Sequence, residues 1–357
     1  MNTQEIECVY QGFRLGRTLG EGAYGKVRLA TYVNLNVPGD ALAAKLRSKG
    51  TNKVAIKIMP RENKHLIRKE YEAMLRAKTS SNVVEAYTKF DGKKNSYMVM
   101  EYCHNGDLSH YLSPAPFVEE QKAKEFFKII VKGVNECHQL GICHRDLKME
   151  NIFVDKNGEL KIADFGVSEF FDDSLDGLLS SYCGTASYMA PEMIRGYLGD
   201  RIRYDGTKSD NWSLGIILFE LLTGKRPYPA FEWRILSNLI EKKSFAERLP
   251  AEISLSQECL HLLGHLLEKD PKQRATLEEV LRHPWLTAKK RDEKVAQNQE
   301  VQTAKLVAEE QVTRPSQDVR VKNGNNKINI CIINGRQDNI TKIYPNGHHF
   351  QPSEWWE

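Results

Sequence analysis

The sequence predicts an α+β fold in which a strand-rich first part is followed by a helical middle. Residues 13–30 (FRLGRTLGEGAYGKVRLA), 53–59 (KVAIKIM) and 97–102 (YMVMEY) are short runs with strand-like alternation or β-branched content. Residues 119–140, 207–223, 232–241, 257–268 and 276–282 read as helices. Strands segregated from helices indicate α+β architecture rather than repeating βα units.

Taken in order, residues 13–30 form a hairpin around a glycine cluster, and 53–59 a third strand. Pro60 lacks an N–H and is suited to open a helix. From Glu62 to Lys78 an apolar stripe (Leu66, Ala73, Met74, Ala77) recurs at helical spacing. After about Asp107 the helices take over. Beyond Trp285 the character shifts again: residues 287–313 are polar and charged with weak periodicity. Asn323-Gly324, Asn334-Gly335 and Asn346-Gly347 then punctuate β-rich runs such as INICII, which reads as a small meander.

Composition excludes several classes. Of 357 residues, 41% are hydrophobic and 27% charged, so the chain is not collagen-like, mucin-like or largely disordered. Lys and Arg number 51 against 47 Asp and Glu; a net charge of +4 is mild for a dedicated nucleic-acid binder, and no nucleic-acid partner is expected. The cysteines (Cys8, Cys103, Cys137, Cys143, Cys183, Cys259, Cys331) are odd in number and show no C-x-x-C spacing. They read as reduced thiols rather than zinc ligands or disulfides. The N-terminus has no basic-then-apolar leader and no Gly at position 2, and no run approaches the ~18 apolar residues of a membrane span. A cytoplasmic protein without a membrane partner is expected, with the nucleus as the alternative.

Eight short motifs, in order along the chain, carry the argument for chemistry. GEGAYGKV (Gly20–Val27) lies between two strands, where glycine lets backbone N–H groups approach phosphates closely. VAIK (Val54–Lys57) ends an apolar strand on a lysine, which needs a partner there. Glu70 on the following helix is the candidate, and Glu72 the fallback, although it projects about 200° away from Glu70. CHRDLKMEN (Cys143–Asn151) and ADFG (Ala163–Gly166) follow. APE (Ala190–Glu192) and DNWSLG (Asp210–Gly215) come next, with Arg274 in DPKQRAT and the tripeptide HPW (His283–Trp285) closing the series.

In this order the set resembles the eukaryotic protein kinase signature over about residues 13–286. The resemblance implies a bilobal protein-kinase-like fold: a small mainly-β N-lobe with one key helix (about 13–103) and a large mainly-α C-lobe (about 104–286). Residues 1–12 would be an N-terminal extension, 287–318 a charged linker or helix, and 319–357 a small β-rich tail. The implied activity is transfer of the γ-phosphoryl group of ATP, with Mg²⁺ as cofactor, to protein Ser/Thr hydroxyls. A scaffold without activity, recruiting partners through the tail, is the alternative; loss of Lys57, Asp146, Asn151 or Asp164 would favour it, and none is lost.

Residue by residue, the resemblance implies that Gly20, Gly22 and Gly25 cover the phosphates and that Lys57, oriented by Glu70, holds them. Asp146 would orient the substrate hydroxyl and accept its proton, with Lys148 near the transferred group. Asn151 and Asp164 would bind Mg²⁺. Leu19, Val27 and Ala55 above and Phe153 below would enclose the adenine, with Met100 as gatekeeper and Glu101 to Cys103 offering backbone hydrogen bonds. Lys148 with Thr185 is the serine/threonine pattern. Asp107, Glu150 and Glu220 match positions that favour Arg or Lys two or three residues before the phosphoacceptor. Arg145 before Asp146 implies control by activation-loop phosphorylation at Ser181, with Ser180 and Tyr182 as neighbouring alternatives, and hence an upstream activating kinase. Glu192 and Arg274 would form a buried ion pair, and Asp210 would brace the catalytic loop. Within the family, MVMEYCHNGDL and DPKQRAT look most like the calmodulin-dependent and AMP-activated kinase group.

Two stretches depart from the pattern. From Val27 to Lys57 is 30 residues, about twice the usual need. The excess, near residues 31–52, should be an extended turn holding a short basic helix capped by Asp40. A smaller insertion lies near residues 196–207. The 71 residues after Leu286 fall outside the resemblance, and their β-rich part, about residues 319–357, is expected to dock on the kinase, pair with another chain or fold on a partner.

Overall fold

The computed structural model describes residues 2–288 except 23–24, 114–116, 172–176, 201 and 231. It also describes the backbone of residues 317–324, 327–334 and 341–343. The chain divides into two units, Met1–Thr287 and Ala288–Glu357.

The first unit begins with α1 (Thr3–Tyr10), whose Asn2–Glu5 capping box satisfies its first N–H groups. An antiparallel sheet follows: β1 (Phe13–Gly22), β2 (Gly25–Tyr32), β3 (Lys53–Pro60), β4 (Ala86–Asp91) and β5 (Asn95–Glu101), in the order β1-β2-β3-β5-β4. Between β2 and β3 lies α2 (Ala41–Ser48), and Asp40 caps it by accepting from the Ala43 N–H at 2.9 Å, as the sequence predicts. The helix α3 (Lys64–Arg76) follows β3, entered through a 3₁₀ turn at Arg61–Asn63. Pro60 therefore closes β3, paired with Asn95, rather than opening the helix.

Strand alternation decides where Lys57 points. Val54, Ile56 and Ile58 enter a cluster on the outer face of the sheet with Phe13, Tyr97 and Val99. Ala55, Lys57 and Met59 must then face the opposite side. The outer cluster also takes Cys8 of α1 and Ala43 and Leu46 of α2, so both helices belong to the packing of the lobe. Coverage of both faces explains why β3, from Val54 to Met59, is apolar on both sides apart from Lys57.

The second lobe starts with α4 (Leu108–Leu112) and α5 (Glu120–Gln139). Short strands β6 (Ile142–Cys143), β7 (Ile152–Val154), β8 (Leu160–Ile162), β9 (Glu169–Phe170) and β10 (Leu178–Leu179) carry the loops between them. Then come α6 (Pro191–Arg195), β11 (Tyr204–Asp205) and α7 (Gly206–Thr223). Almost every residue of α7 is buried: its second half is apolar nearly all round, and in its first half the buried side chains of Asp210, Asn211 and Ser213 are hydrogen-bonded. Gly224, with φ 69°, ends it in the left-handed region that glycine accepts without cost. The unit closes with α8 (Trp233–Lys242), α9 (Gln257–Leu266), α10 (Leu277–Arg282) and α11 (Pro284–Thr287). The insertion near 196–207 contributes β11, which pairs with β10.

In the second unit β12 (Gln317–Gly324), β13 (Lys327–Asn334) and β14 (Thr341–Ile343) form an antiparallel sheet. Gly324 pairs with Lys327, so Asn323-Gly324 ends a strand instead of making the turn. Residues 325 and 326, which separate the strands, are also asparagines and share the tolerance for turn backbone, so composition alone does not choose this register. The expectations for residues 289–316 and for Asn346-Gly347 lie outside the described residues.

Candidate active site

The inward side of β3 and the buried face of α3 set the first contact. Ile67, Glu70, Ala73 and Met74 are the buried residues of α3, so Ile67 and Glu70, rather than Leu66, complete its inner stripe. Glu72 lies on the exposed side. Lys57 Nζ stands 2.8 and 2.6 Å from the two Glu70 carboxylate oxygens and 2.8 Å from Asp164 Oδ1. Burial works to lower the Lys57 pKa, but the charges of Glu70 and Asp164 outweigh it and hold the ammonium form. Burial likewise disfavours ionised Asp164, and Lys57 more than offsets it, keeping that carboxyl below its usual range. One cation thus ties three elements together.

The loop that carries Asp146 is held by a second carboxylate. Asp210 of α7, fully buried, accepts from the His144 and Arg145 backbone N–H groups, each at 2.8 Å, and bonds His138 Nε2 at 2.8 Å. These bonds accompany a left-handed backbone at Arg145 (φ 66°); Asp164 is left-handed too (φ 62°). Such non-glycine positions cost about 1–3 kcal/mol each and persist where the surroundings dictate them. They flank the site on both sides.

Between them sits Asp146. Its Oδ1 accepts from the Thr185 N–H at 2.8 Å and hydroxyl at 2.7 Å, and its Oδ2 from Lys148 Nζ at 2.8 Å and Asn151 Nδ2 at 3.2 Å. Lys148 also reaches the Thr185 hydroxyl at 2.7 Å. Asn151 is anchored through its amide to the Asp146 carbonyl at 2.8 Å. Phe165, fully buried, meets the His144 ring edge-on at 4.8 Å. The result is a carboxylate with fixed orientation beside a fixed ammonium, which is what positioning a hydroxyl and taking its proton require.

Register assembles the other expected positions. Val27 pairs with Lys57, Leu29 with Ala55, and Ala55 with Met100. Val54 pairs with Glu101, placing the end of β5 beside β3. Cys103 is buried and Phe153 half-buried against the core. Leu19, Gly20 and Gly22 lie on β1 opposite β2. A Cβ at Gly25 would fall 2.2 Å from the Ile58 carbonyl oxygen, so only glycine lets β2 lie this close to β3. Among the described residues no group of three or more His, Cys, Asp or Glu side chains is placed to cage a metal. Mg²⁺ needs no such cage, since it binds through one or two carboxylates plus phosphates and water; Asp164 and Asn151 suit it.

The activation segment is tied in part by residues that sequence reasoning did not single out. Arg145 donates to the Val167 carbonyl at 2.8 Å, the Ser181 hydroxyl at 2.7 Å and Glu169 at 3.3 Å. Lys69 of α3 pairs with Glu169 at 2.7 Å. Tyr204, in the small insertion, donates to the Ser181 carbonyl at 2.9 Å. Arg274 meets Glu192 through two bonds of 2.7 and 2.9 Å.

The acidic positions separate. Asp107 caps α4, accepting from the His110 N–H at 2.9 Å. Glu150 and Glu220 meet at the Tyr188 hydroxyl. Glu220 also lies 3.5 Å from Arg226 Nε, and the Arg226 guanidinium lies over the Tyr188 ring. No local signal marks Lys69, His138, Glu169 or Tyr204, whose partners are 23 to 100 residues away, or Arg226, whose partner Glu220 lies on another element.

Comparison with known proteins agrees with the geometry. Residues 13–286 match the protein kinase domain family. "CBL-interacting protein kinase 12" of Oryza sativa subsp. japonica is 34% identical over 282 residues, covering 76% of this chain and 47% of that protein. "NUAK family SNF1-like kinase 1" of Homo sapiens is 34% identical over 275 residues, covering 77% and 38%. "Probable serine/threonine-protein kinase MARK-A" of Dictyostelium discoideum is 33% identical over 276 residues, covering 77% and 24%. The chain spans about a quarter to a half of the length of these curated relatives. Members of the family normally use ATP and Mg²⁺. With the family matching three-quarters of its residues, in register with the site built above, this chain belongs to the protein kinase family.

Proposed function

We propose that this chain is an active serine/threonine protein kinase. The observation that supports it most is the Lys57 ammonium bridging Glu70 and Asp164; phosphoryl transfer depends mainly on such positioning and charge stabilisation. Lys57 binds the anionic phosphates of ATP, and Gly20, Gly22 and Gly25 close over them. Asp164 and Asn151 hold Mg²⁺, which when bound neutralises charge developing on the transferred group. Asp146 orients the substrate hydroxyl and takes its proton, and Lys148 faces the incoming charge. Lys57, Asp146, Asn151 and Asp164 are all present and bonded, so nothing favours the scaffold reading.

Ser181 is the activating phosphosite in this reading, with an upstream kinase as partner. Arg145 and Lys69 supply two cations against the single Glu169 carboxylate, leaving one positive charge for a phosphate of about −1.5 to −2. Ser181→Ala is expected to lower activity severalfold, read as kcat on a peptide substrate; unchanged activity in a fully active preparation would refute the assignment.

The acidic positions favour a basic residue before the phosphoacceptor, but Arg226 already supplies a cation to Glu220. A positional Ser/Thr peptide array with Mg-ATP tests both points. Transfer to Ser/Thr is expected, lost on chelation of Mg²⁺, and Arg226→Ala should strengthen the preference for Arg or Lys. No transfer from folded protein, or no basic preference in either form, would contradict the respective reading.

A further inference from the structure

The connection between β2 and β3 is far longer than a turn requires, and its helix is built into the lobe: Ala43 and Leu46 of α2 are fully buried. Lysines at the C-terminal end of α2 and just beyond it reach Glu85, just before β4, and Glu101 at the end of β5. Lys49 Nζ lies 2.9 Å from Glu85 Oε2 and 2.9 Å from Glu101 Oε1. Lys45 pairs with the other Glu85 oxygen. The second Glu101 oxygen takes Lys161 Nζ at 3.2 Å. Lys161 lies on β8, three residues before Asp164, and also donates to the Ser81 carbonyl at 3.0 Å. From the turn between β7 and β8, Lys156 Nζ donates to the Lys49 carbonyl at 2.7 Å.

Glu101 is therefore gripped from two lobes, by Lys49 of the small one and Lys161 of the large one. The grip is partly desolvated: the side chains of Glu101 and Lys161 keep only 13% and 11% of their exposure. Pairs so placed are screened less than open surface pairs. Burial works to raise the Glu101 pKa, but the bond from Lys49 and the charge of Lys161 prevail and keep it a carboxylate.

We propose that Lys49 is a positioning residue for ATP, and that the 31–52 insertion is a brace holding the inter-lobe hinge. The proposal rests on the reading that the backbone of Glu101 to Cys103 receives the adenine. A hydrogen bond to a base requires the strand end to be held to a few tenths of an ångström. Glu101 is the side chain through which that strand end can be held, because its backbone pairs with Val54 while its carboxylate ties α2 to β8. Removing Lys49 frees one oxygen of Glu101 and one half of the inter-lobe tie. Lys156 acts on the same point from the other lobe, through a backbone carbonyl.

The test uses the full-length chain with Lys49→Ala, Lys49→Arg and Lys156→Met. KM for ATP, kcat at saturating peptide, ADP affinity by calorimetry and the thermal midpoint are measured on each. Lys49→Ala is expected to raise KM for ATP and weaken ADP binding by about two- to fivefold, the scale of one such ion pair, with kcat changed less than twofold. Lys49→Arg should restore wild-type KM, and Lys156→Met should move KM in the same direction by less. A purely structural insertion would instead lower the thermal midpoint and the active fraction with KM intact. That result, or an unchanged KM in Lys49→Ala, overturns the brace. If Lys49→Ala does not fold, an unchanged KM in Lys156→Met overturns it alone. Wild-type protein that binds no ADP would overturn the adenine reading, and the brace with it.

Discussion

Asp146→Asn is expected to lower kcat by about 10²–10⁴-fold, the usual contribution of a positioned general base, while fold and ATP affinity persist. The substitution preserves shape and removes charge. Asp146 receives four donors, from Thr185 N–H and hydroxyl, Lys148 and Asn151. An amide nitrogen in place of either oxygen would face a donor instead of accepting from it, and the group could no longer take a proton. The position lies apart from Lys57, so KM for ATP should hold. The check is kcat with saturating peptide and Mg-ATP, alongside circular dichroism and ATP affinity. Activity within tenfold of wild type would remove Asp146 from the chemistry, and signal equal to wild type would point to a contaminating kinase.

Arg274→Ala should cost the first unit about 3–5 kcal/mol, the scale for removing one partner of a buried ion pair. Both side chains are almost wholly buried, 0% and 2% exposed, so Glu192 would be left as a charge without water or partner. Arg274 also donates to the carbonyls of Glu268 at 2.8 Å and Lys208 at 2.7 Å, and lies over the Trp212 ring. The thermal midpoint should fall by about 10 °C for a unit of this size. Activity should fall with it, because α6, which carries Glu192, ends the activation segment. Glu192→Leu with Arg274→Leu is expected to recover part of the loss, since no lone charge remains. It should not recover all, because two carbonyls lose their donor. A midpoint within 2 °C of wild type in the single variant would show that the pair contributes little.

Much of this site is legible in the order of residues alone. Lys57, Asp146, Asn151 and Asp164 stand in ordered motifs, and each motif is short enough for its backbone role to be local. The Glu70 assignment needs only its place at helical spacing from Ala73 and Met74 on the helix after Lys57, and the Asp40 cap only a side chain three residues from its N–H partner. Less is legible where partners are remote. The N-terminal helix α1 reads as a mere extension, because eight residues give little periodicity. Its role appears only in the fold, where Cys8 is buried in the outer cluster and Glu7 accepts from the Lys93 N–H at 2.6 Å. Pro60 suits either the opening of a helix or the close of a strand; its pairing with Asn95 decides the matter. The Asn-Gly pairs mark where turns are easy without deciding which asparagines make them.

By itself, then, the amino-acid sequence determined the family, the segregation of a strand-rich first part from a helical middle, and the identity of the residues in the motifs that meet at the site. Spacing and residue type are enough for these, since alternation, capping and glycine-dependent approach act over a few residues. Only the tertiary structure decided how the charges are shared. It gave Lys57 both Glu70 and Asp164, gave Arg145 a carboxylate and a hydroxyl at once, placed Arg226 against Glu220, and turned an unexplained 31–52 insertion toward Glu101. Charge pairing acts through space between groups more than a hundred residues apart, and its strength depends on burial. Neither quantity exists until the chain has folded.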